Sequence, residues 1–226
     1  MNKRSWIFLF CLALLANIAG GLLKNQWIDY VSKPLIIIFL IGYFNSAAVK
    51  TQSPLKKWVF LALFFSWMGD VLLMFQERDS IFFLLGLASF LIAHIFYIVF
   101  FHQVRIAEKI KAKPALAALV IIYYFVLIVL LSPYLGEMKL PVRVYGIVIS
   151  FMFMLAMHMA FIKNSSAGLW MMIGALLFVI SDSTLAINRF YHPFQIAGAM
   201  IMLTYGLAQV FIVEGAASYL QFNHKE

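Results

Sequence analysis

The chain has 226 residues, of which 65% are hydrophobic and only 12% are charged, with a formal net charge of +8. A soluble domain is about one quarter charged and about half apolar, so this composition excludes a water-soluble globular protein. The basic residues lie in short segments between apolar runs and form no basic domain, which argues against a nucleic-acid-binding protein. The single cysteine, Cys11, excludes an internal disulfide and a multi-cysteine metal site.

Eight apolar runs recur along the chain at or near the length, about 17–25 residues, that crosses a bilayer as a helix. Helices are favoured because lipid offers no partner to an unpaired backbone amide, and barrel strands would alternate polar and apolar residues. We predict an all-α membrane bundle of eight transmembrane helices, forming a single domain over residues 1–226. The predicted spans are Trp6–Leu23, Pro34–Val49, Trp58–Phe75, Ile81–Phe101, Pro114–Ser132, Pro141–Ile162, Ala167–Ile187 and Phe194–Glu214.

The Lys and Arg residues between these spans predict the orientation of the chain. With a cytoplasmic N-terminus, the inner segments hold 11 of the 17 basic residues and the outer segments hold six. Cytoplasmic segments carry the excess of Lys and Arg, so we expect both termini in the cytoplasm, in an inner or plasma membrane. The inner set is Lys3, Arg4, Lys50, Lys56, Lys57, Arg105, Lys109, Lys111, Lys113, Lys163 and Lys225.

A weak internal repeat relates the two halves of the chain. "MGDVLLMF" begins at residue 68 and "ISDSTLAI" at residue 180, so Asp70 and Asp182 are 112 residues apart. A glycine follows each aspartate by 16 residues. Halves of four spans each, 1–113 and 114–226, would share one orientation and be related by an axis along the membrane normal.

Asp70 and Asp182 are the polar residues whose positions most strongly indicate function. Each lies inside an apolar run, and carboxylates within a membrane are rare, costly and functional by default. The alternative is a structural hydrogen-bond node, for which Ser66, one turn before Asp70, is an available partner.

The span that follows each aspartate carries two polar residues at helical spacing from each other. His94 and Tyr97 share a face of the fourth span, and Tyr205 and Gln209 share a face of the eighth. They either bond between helices or support a site. Lys33 opens the second span on the predicted outer side, as an interfacial anchor or as a cation for a phosphate group. No compact metal-ligand spacing and no hydrolase motif of soluble enzymes is present, so we expect neither a metal nor another cofactor.

Five motifs in order resemble the YhhN-like lysoplasmalogenase family of eight-span membrane proteins. They are "SKPL", "GDVLLM", "GLASFLIAHIFYIVF", "SDSTLA" and "TYGLAQ", and together they extend from the second span to the eighth. One departure is Gly206, where another aromatic residue is expected in many members.

The resemblance implies hydrolysis of the vinyl ether bond of lysoplasmalogens, giving a fatty aldehyde and a glycerophospho-ethanolamine or -choline. It also implies a lysophospholipid substrate in the membrane and no nucleic-acid partner. Carried over by motif, the site residues are Asp70 and Asp182 as acid and base, supported by Lys33, His94, Tyr97, Tyr205 and Gln209. A vinyl ether is hydrolysed by protonation of carbon followed by addition of water, a division of tasks that two carboxyl groups perform for a related cation in glycosidases.

A proton-coupled transporter is the alternative function. Paired intramembrane acids, a histidine and a parallel repeat also describe such a carrier. An enzyme works in detergent micelles without a gradient, whereas a carrier needs sealed vesicles.

Overall fold

The computed structural model describes residues 2–49 and 51–223. Lys50 and Lys225, two of the basic residues assigned to the inner segments, lie outside the described residues. Within the described ranges the chain forms eight long helices and no strand, which confirms the predicted all-α class. The helices are α1 Lys3–Leu22, α2 Gln26–Ala47, α3 Lys56–Leu73, α4 Ser80–Ala107, α5 Pro114–Leu131, α6 Lys139–His158, α7 Ser165–Ala186 and α8 Ala197–Asn223.

The helices confirm a membrane bundle. Seven of the eight described helices are long and apolar enough to cross a bilayer. The remaining one is α3, whose 18 residues include three charged side chains, Lys56, Lys57 and Asp70. Two of them, Lys56 and Lys57, lie in the first turn of α3. At 1.5 Å per residue, the 18 residues still extend about 27 Å, which is close to the thickness of the hydrocarbon core.

Helix α2 begins earlier than the sequence predicts. The Asn25 side chain accepts hydrogen bonds from the N–H groups of Trp27 and Ile28 and so caps the helix, which begins eight residues before Pro34. The expectation that Pro34 starts the span is therefore wrong: this proline lies inside α2, and Lys33 lies about two turns into the helix. The first two turns of α2 add polar side chains next to the α1–α2 connection.

Helix α8 extends well beyond its predicted end. Glu214, expected to end the last span, lies inside α8, which continues to Asn223. The Tyr43 hydroxyl of α2 donates a hydrogen bond to the Glu214 carboxylate, and the Ser218 hydroxyl donates to it at 3.3 Å. This carboxylate therefore has partners that allow the helix to continue.

Short connections make consecutive helices antiparallel, and the closest pairs are α1 with α2, α3 with α4, and α7 with α8. Glycine allows the close approach of α7 and α8, because a Cβ placed on Gly174 would lie 2.7 Å from the Ile212 nitrogen and 2.8 Å from the Ala208 oxygen. Small residues serve the same purpose at many membrane helix interfaces. The antiparallel order places the connections α1–α2, α3–α4, α5–α6 and α7–α8 at one end of the bundle.

Candidate active site

A cavity of about 210 Å³ lies inside the bundle near the α3–α4 and α7–α8 connections, and both intramembrane aspartates line it. We call it the inner cavity. Most of the accessible surface of its wall is apolar, and Lys33 is its one cationic residue within the described part of the chain. The apolar lining residues are Leu73, Phe83, Leu87, Phe90, Leu185, Ile201 and Met202; the polar ones are Lys33, Asp70, Gln76, Tyr145, Ser181, Asp182, Asn188 and Tyr205.

Asp70 lies in the last turn of α3 and is only 2% exposed. The Tyr205 hydroxyl of α8 donates a hydrogen bond to Asp70 Oδ2 at 2.7 Å. Lys33 interacts electrostatically with this carboxyl group without forming a direct salt bridge. The second carboxyl oxygen, Oδ1, has no hydrogen-bond partner among the described residues, so it is available to a ligand in the inner cavity.

Asp182 lies in the last turn and a half of α7, and its side chain is 16% exposed. The Tyr145 hydroxyl of α6 donates a hydrogen bond to Asp182 Oδ2. The same oxygen is 4.0 Å from Nε2 of His94 in α4, whose ring is fully buried. This separation is too long for a direct hydrogen bond.

His94 is held in place by aromatic rings rather than by polar neighbours. Its ring packs edge-on against Phe178 and Tyr145, with centroid distances of 4.6 and 5.4 Å. Its Nε2 has no hydrogen-bond partner among the described residues. Packing against these rings therefore directs this nitrogen toward the second aspartate.

A chain of hydrogen bonds lies one turn deeper than Asp70. The Tyr97 hydroxyl donates to Gln209 Oε1 at 2.7 Å, and Gln209 Nε2 donates to the Ser66 hydroxyl at 2.9 Å. Ser66 is therefore bonded to Gln209, whereas Asp70 is bonded to Tyr205. The network joins α3, α4 and α8 directly below the inner cavity.

The seven residues proposed from the sequence fall into two groups in the structure. Four of them line the inner cavity, namely Lys33, Asp70, Asp182 and Tyr205. His94, Tyr97 and Gln209 lie behind its wall, each fully buried. The structure thus separates the four that face the cavity from the three that lie deeper in the bundle.

Tyr145 is the site residue that the sequence analysis missed. It lines the inner cavity and is bonded to Asp182. The internal repeat contained a signal for it, because Tyr145 follows Lys33 by 112 residues, the same offset that separates the two aspartates. Lys33 interacts with Asp70 in the first half, and Tyr145, at the equivalent position of the second half, is bonded to Asp182.

A second cavity, of about 430 Å³, opens at the mouth of the inner cavity. We call it the vestibule. Five residues line both cavities, which are therefore adjacent: Lys33, Leu73, Gln76, Gly198 and Met202. The vestibule is lined mainly by polar side chains, including Asp29, Glu77 and Arg78. Within the described residues, no group of three or more His, Cys, Asp or Glu side chains is arranged to hold a metal ion.

Comparison with known proteins identifies one family model and several relatives that each match most of the chain. The profile of the YhhN family matches residues 28–216. The human lysoplasmalogenase TMEM86A is 31% identical over 198 residues, which are 84% of this chain and 79% of the human protein. The pig lysoplasmalogenase TMEM86B is 31% identical over 189 residues, covering 84% of this chain and 75% of its own length.

A bacterial relative is similar over a shorter stretch of the chain. The lysoplasmalogenase of Mycobacterium tuberculosis is 29% identical over 175 residues, covering 75% of this chain and 65% of the mycobacterial protein. No solved structure matches the chain.

Proposed function

We infer that this chain, which belongs to the YhhN family, is an integral membrane lysoplasmalogenase. It hydrolyses the vinyl ether bond of lysoplasmalogens to a fatty aldehyde and a glycerophosphoethanolamine or glycerophosphocholine. The observation that carries the proposal is that Asp70 and Asp182, from different halves of the chain, line one mostly apolar cavity inside a membrane bundle. Two carboxyl groups and an apolar wall match the needs of acid-catalysed cleavage of a lipid ether.

We propose that the two carboxyl groups divide the acid and base steps. One carboxylic acid transfers its proton to the vinyl ether carbon beta to oxygen, which leaves an oxocarbenium ion. The other, as a carboxylate, takes a proton from water while the water oxygen bonds to the cationic carbon. The resulting hemiacetal breaks its bond to the glycerol oxygen, which leaves with a proton, and the fatty aldehyde is released. Positioned acids and bases of this kind typically contribute about 10²–10⁴-fold to the rate.

The tyrosines support these steps by fixing the two carboxyl groups. Tyr205 and Tyr145 each donate to one oxygen of an aspartate, which leaves the other oxygen of each pair for substrate or water. His94, whose Nε2 is 4.0 Å from Asp182 Oδ2, lies beside this carboxyl group behind the cavity wall. The oxocarbenium ion forms in a space lined by carboxylates and aromatic faces, which stabilise positive charge.

The vestibule and the inner cavity suit the two ends of a lysolipid. The apolar wall accommodates the alkenyl group next to the ether, and Lys33, which lines both cavities, is placed to bind the phosphate. We propose that both termini are cytoplasmic, because cytoplasmic segments carry the excess of Lys and Arg. The vestibule then faces the outer side of an inner or plasma membrane.

A test in micelles separates this proposal from a proton-coupled transporter. The purified protein in detergent should release fatty aldehyde from lysoplasmalogens without any gradient. Absence of aldehyde in micelles, with lipid or solute uptake in sealed proteoliposomes driven by a proton gradient, would favour the transporter instead.

A further inference from the structure

The vestibule contains charges of both signs close together. Asp29 and Lys33 are one turn apart in α2 and interact electrostatically, and Glu77 and Arg78 belong to the α3–α4 connection. Such a lining is unusual for the wall of a cavity that serves only as a passage for apolar chains. A mixed-charge wall is complementary to a ligand that itself carries both charges.

The two cations of the vestibule are not neutralised by direct contacts. Neither the Lys33 ammonium group nor the Arg78 guanidinium group forms a side-chain hydrogen bond or a salt bridge with the described residues. Arg78 instead lies over the Phe75 ring, 5.0 Å from its centroid, which fixes the position of its planar donors. A guanidinium and an ammonium group that lack carboxylate partners are suited to bind a phosphate.

The two anions are similarly available. Asp29 Oδ1 accepts a hydrogen bond from Asn17 Nδ2 at 3.2 Å, which positions the carboxylate, while Oδ2 has no hydrogen-bond partner among the described residues. Glu77 is exposed and forms no salt bridge with them. Tyr30, which also lines the vestibule, stacks on Phe75 with centroids 6.0 Å apart. Carboxylates beside an aromatic face are the usual environment of a bound ammonium group.

We propose that the vestibule is the headgroup subsite and selects zwitterionic lysolipids, binding the phosphate with Lys33 and Arg78 and the ammonium group with Asp29 and Glu77. This inference rests on the proposed function, because the inner cavity must receive the ether bond of the same molecule. A headgroup without an ammonium group, such as phosphoglycerol, leaves the two carboxylates facing a net negative ligand and therefore binds more weakly.

Binding of lipids that are not cleaved tests the subsite independently of catalysis. The probes are saturated 1-alkyl lysolipids with phosphoethanolamine or phosphoglycerol headgroups, titrated against the full-length protein in nanodiscs of neutral lipid. The protein should bind the ethanolamine lipid more tightly. Asp29→Asn with Glu77→Gln should reduce the ratio of the two affinities roughly five- to tenfold, as expected for the loss of two partly solvated ion pairs.

Two further variants control for general effects. Glu137→Gln removes the same charge from an exposed residue at the same end of the bundle that lines neither cavity, and it should leave the ratio unchanged. Arg78→Gln should weaken both lipids to a similar extent, because both contain the phosphate. Since Asp29 is bonded to Asn17, Glu77→Gln alone, on the surface connection, should still lower the ratio if the double variant folds poorly.

The outcomes separate this inference from the proposed function. An unchanged affinity ratio in Glu77→Gln and in the double variant, or a wild-type preference for phosphoglycerol, would overturn the headgroup subsite even if the enzyme cleaves lysoplasmalogens. A wild-type protein that binds the ethanolamine lipid selectively but releases no aldehyde from any vinyl ether lipid would contradict the proposed function and support the subsite.

Discussion

Asp70 and Asp182 lie at positions where a carboxyl group is costly, and each is bonded to a tyrosine of another helix. Hydrogen bonds lower the cost of burying a polar group but do not require the group to be ionisable. An asparagine would accept the same bond from Tyr205 or Tyr145. The choice of aspartate in both halves is therefore better explained by proton transfer than by structure.

We expect Asp70→Asn and Asp182→Asn each to reduce kcat by at least about 100-fold, because acid or base catalysis is lost while shape and hydrogen bonding are kept. The measurement is aldehyde release by the purified variants in detergent. The two losses should be non-additive, since residues that act as a unit leave little for the second substitution to remove.

The control for these variants is expression and thermal unfolding in the same detergent. Both should match the wild type, because the substitutions remove an ionisable group from the membrane interior. Activity within a few-fold of wild type in either folded variant would remove that aspartate from the mechanism.

Lys33 belongs to the binding step in this account. Lys33→Met should raise KM by roughly 10- to 100-fold with kcat little changed, because a hydrogen bond to a charged group is worth about 1.5–3 kcal/mol and is made equally in the ground and transition states. Steady-state kinetics in mixed micelles measures both constants.

The matched control is Lys139→Met, which removes an exposed cation from the same end of the bundle and lines neither cavity. It should change neither constant. A loss of kcat at saturating lipid in Lys33→Met would place Lys33 in the chemical step instead.

At the level of single residues, the sequence identifies site residues that are unusual in their surroundings and misses those of a common type. An aspartate within a lipid-facing run is conspicuous, so both aspartates were identified. Tyr145 is one of ten tyrosines in a chain rich in aromatic residues, and nothing in its immediate neighbours distinguishes it. Only its contact with Asp182, which depends on how α6 and α7 pack, assigns it to the site.

At the scale of helices, the sequence predicts that eight elements exist but places some ends wrongly. Apolar runs set the spans, whereas the ends of α2 and α8 depend on polar residues that find partners only in three dimensions. Asn25 caps α2 ahead of Pro34, and Tyr43 from α2 satisfies Glu214 in α8. The early start of α2 matters for the proposed headgroup subsite, because it supplies Asp29 to the vestibule.

The second residue of α8, Gly198, lies where the vestibule meets the inner cavity, and a Cβ there would meet nothing within 4 Å. Gly198→Leu should partly close this passage and lower kcat/KM at least about tenfold, since small displacements of a substrate have large effects on rate. The unfolding temperature should not fall, because leucine favours a helix more than glycine does.

Gly21→Leu provides the comparison for this variant. Gly21 is also open, lines the vestibule and does not line the inner cavity, so the same side chain there should have a much smaller effect. Equal kinetics for Gly198→Leu and wild type would show that lipid reaches the aspartates by another route.

At the scale of the whole molecule, we propose that the chain consists of two repeated halves, 1–113 and 114–226. The offset of 112 residues relates Asp70 to Asp182 and Lys33 to Tyr145. It also relates Tyr97 to Gln209, which are hydrogen-bonded to each other. Equivalent residues in direct contact are expected where two repeats meet at a common axis, directly below the two aspartates.

A site built from both halves can be tested by dividing the chain in the connection between α4 and α5. We expect the two halves, expressed together, to copurify and to recover part of the aldehyde-releasing activity, because α4 packs on α6, and α1 and α2 pack on α8, across the division. Each half alone should be inactive, since it holds one aspartate. Full activity in a single half would contradict a site built from both.

In the proposed mechanism, this protein hydrolyses a vinyl ether by protonating carbon with paired intramembrane carboxyl groups. The most direct test is mass spectrometry of the products formed in D₂O by purified protein, in detergent, from matched vinyl ether, alkyl ether and ester lysolipids. We predict fatty aldehyde from the vinyl ether lipid only, carrying one deuterium on the carbon next to the carbonyl group. Fatty acid released from the ester lipid, or aldehyde without that deuterium, would contradict the account.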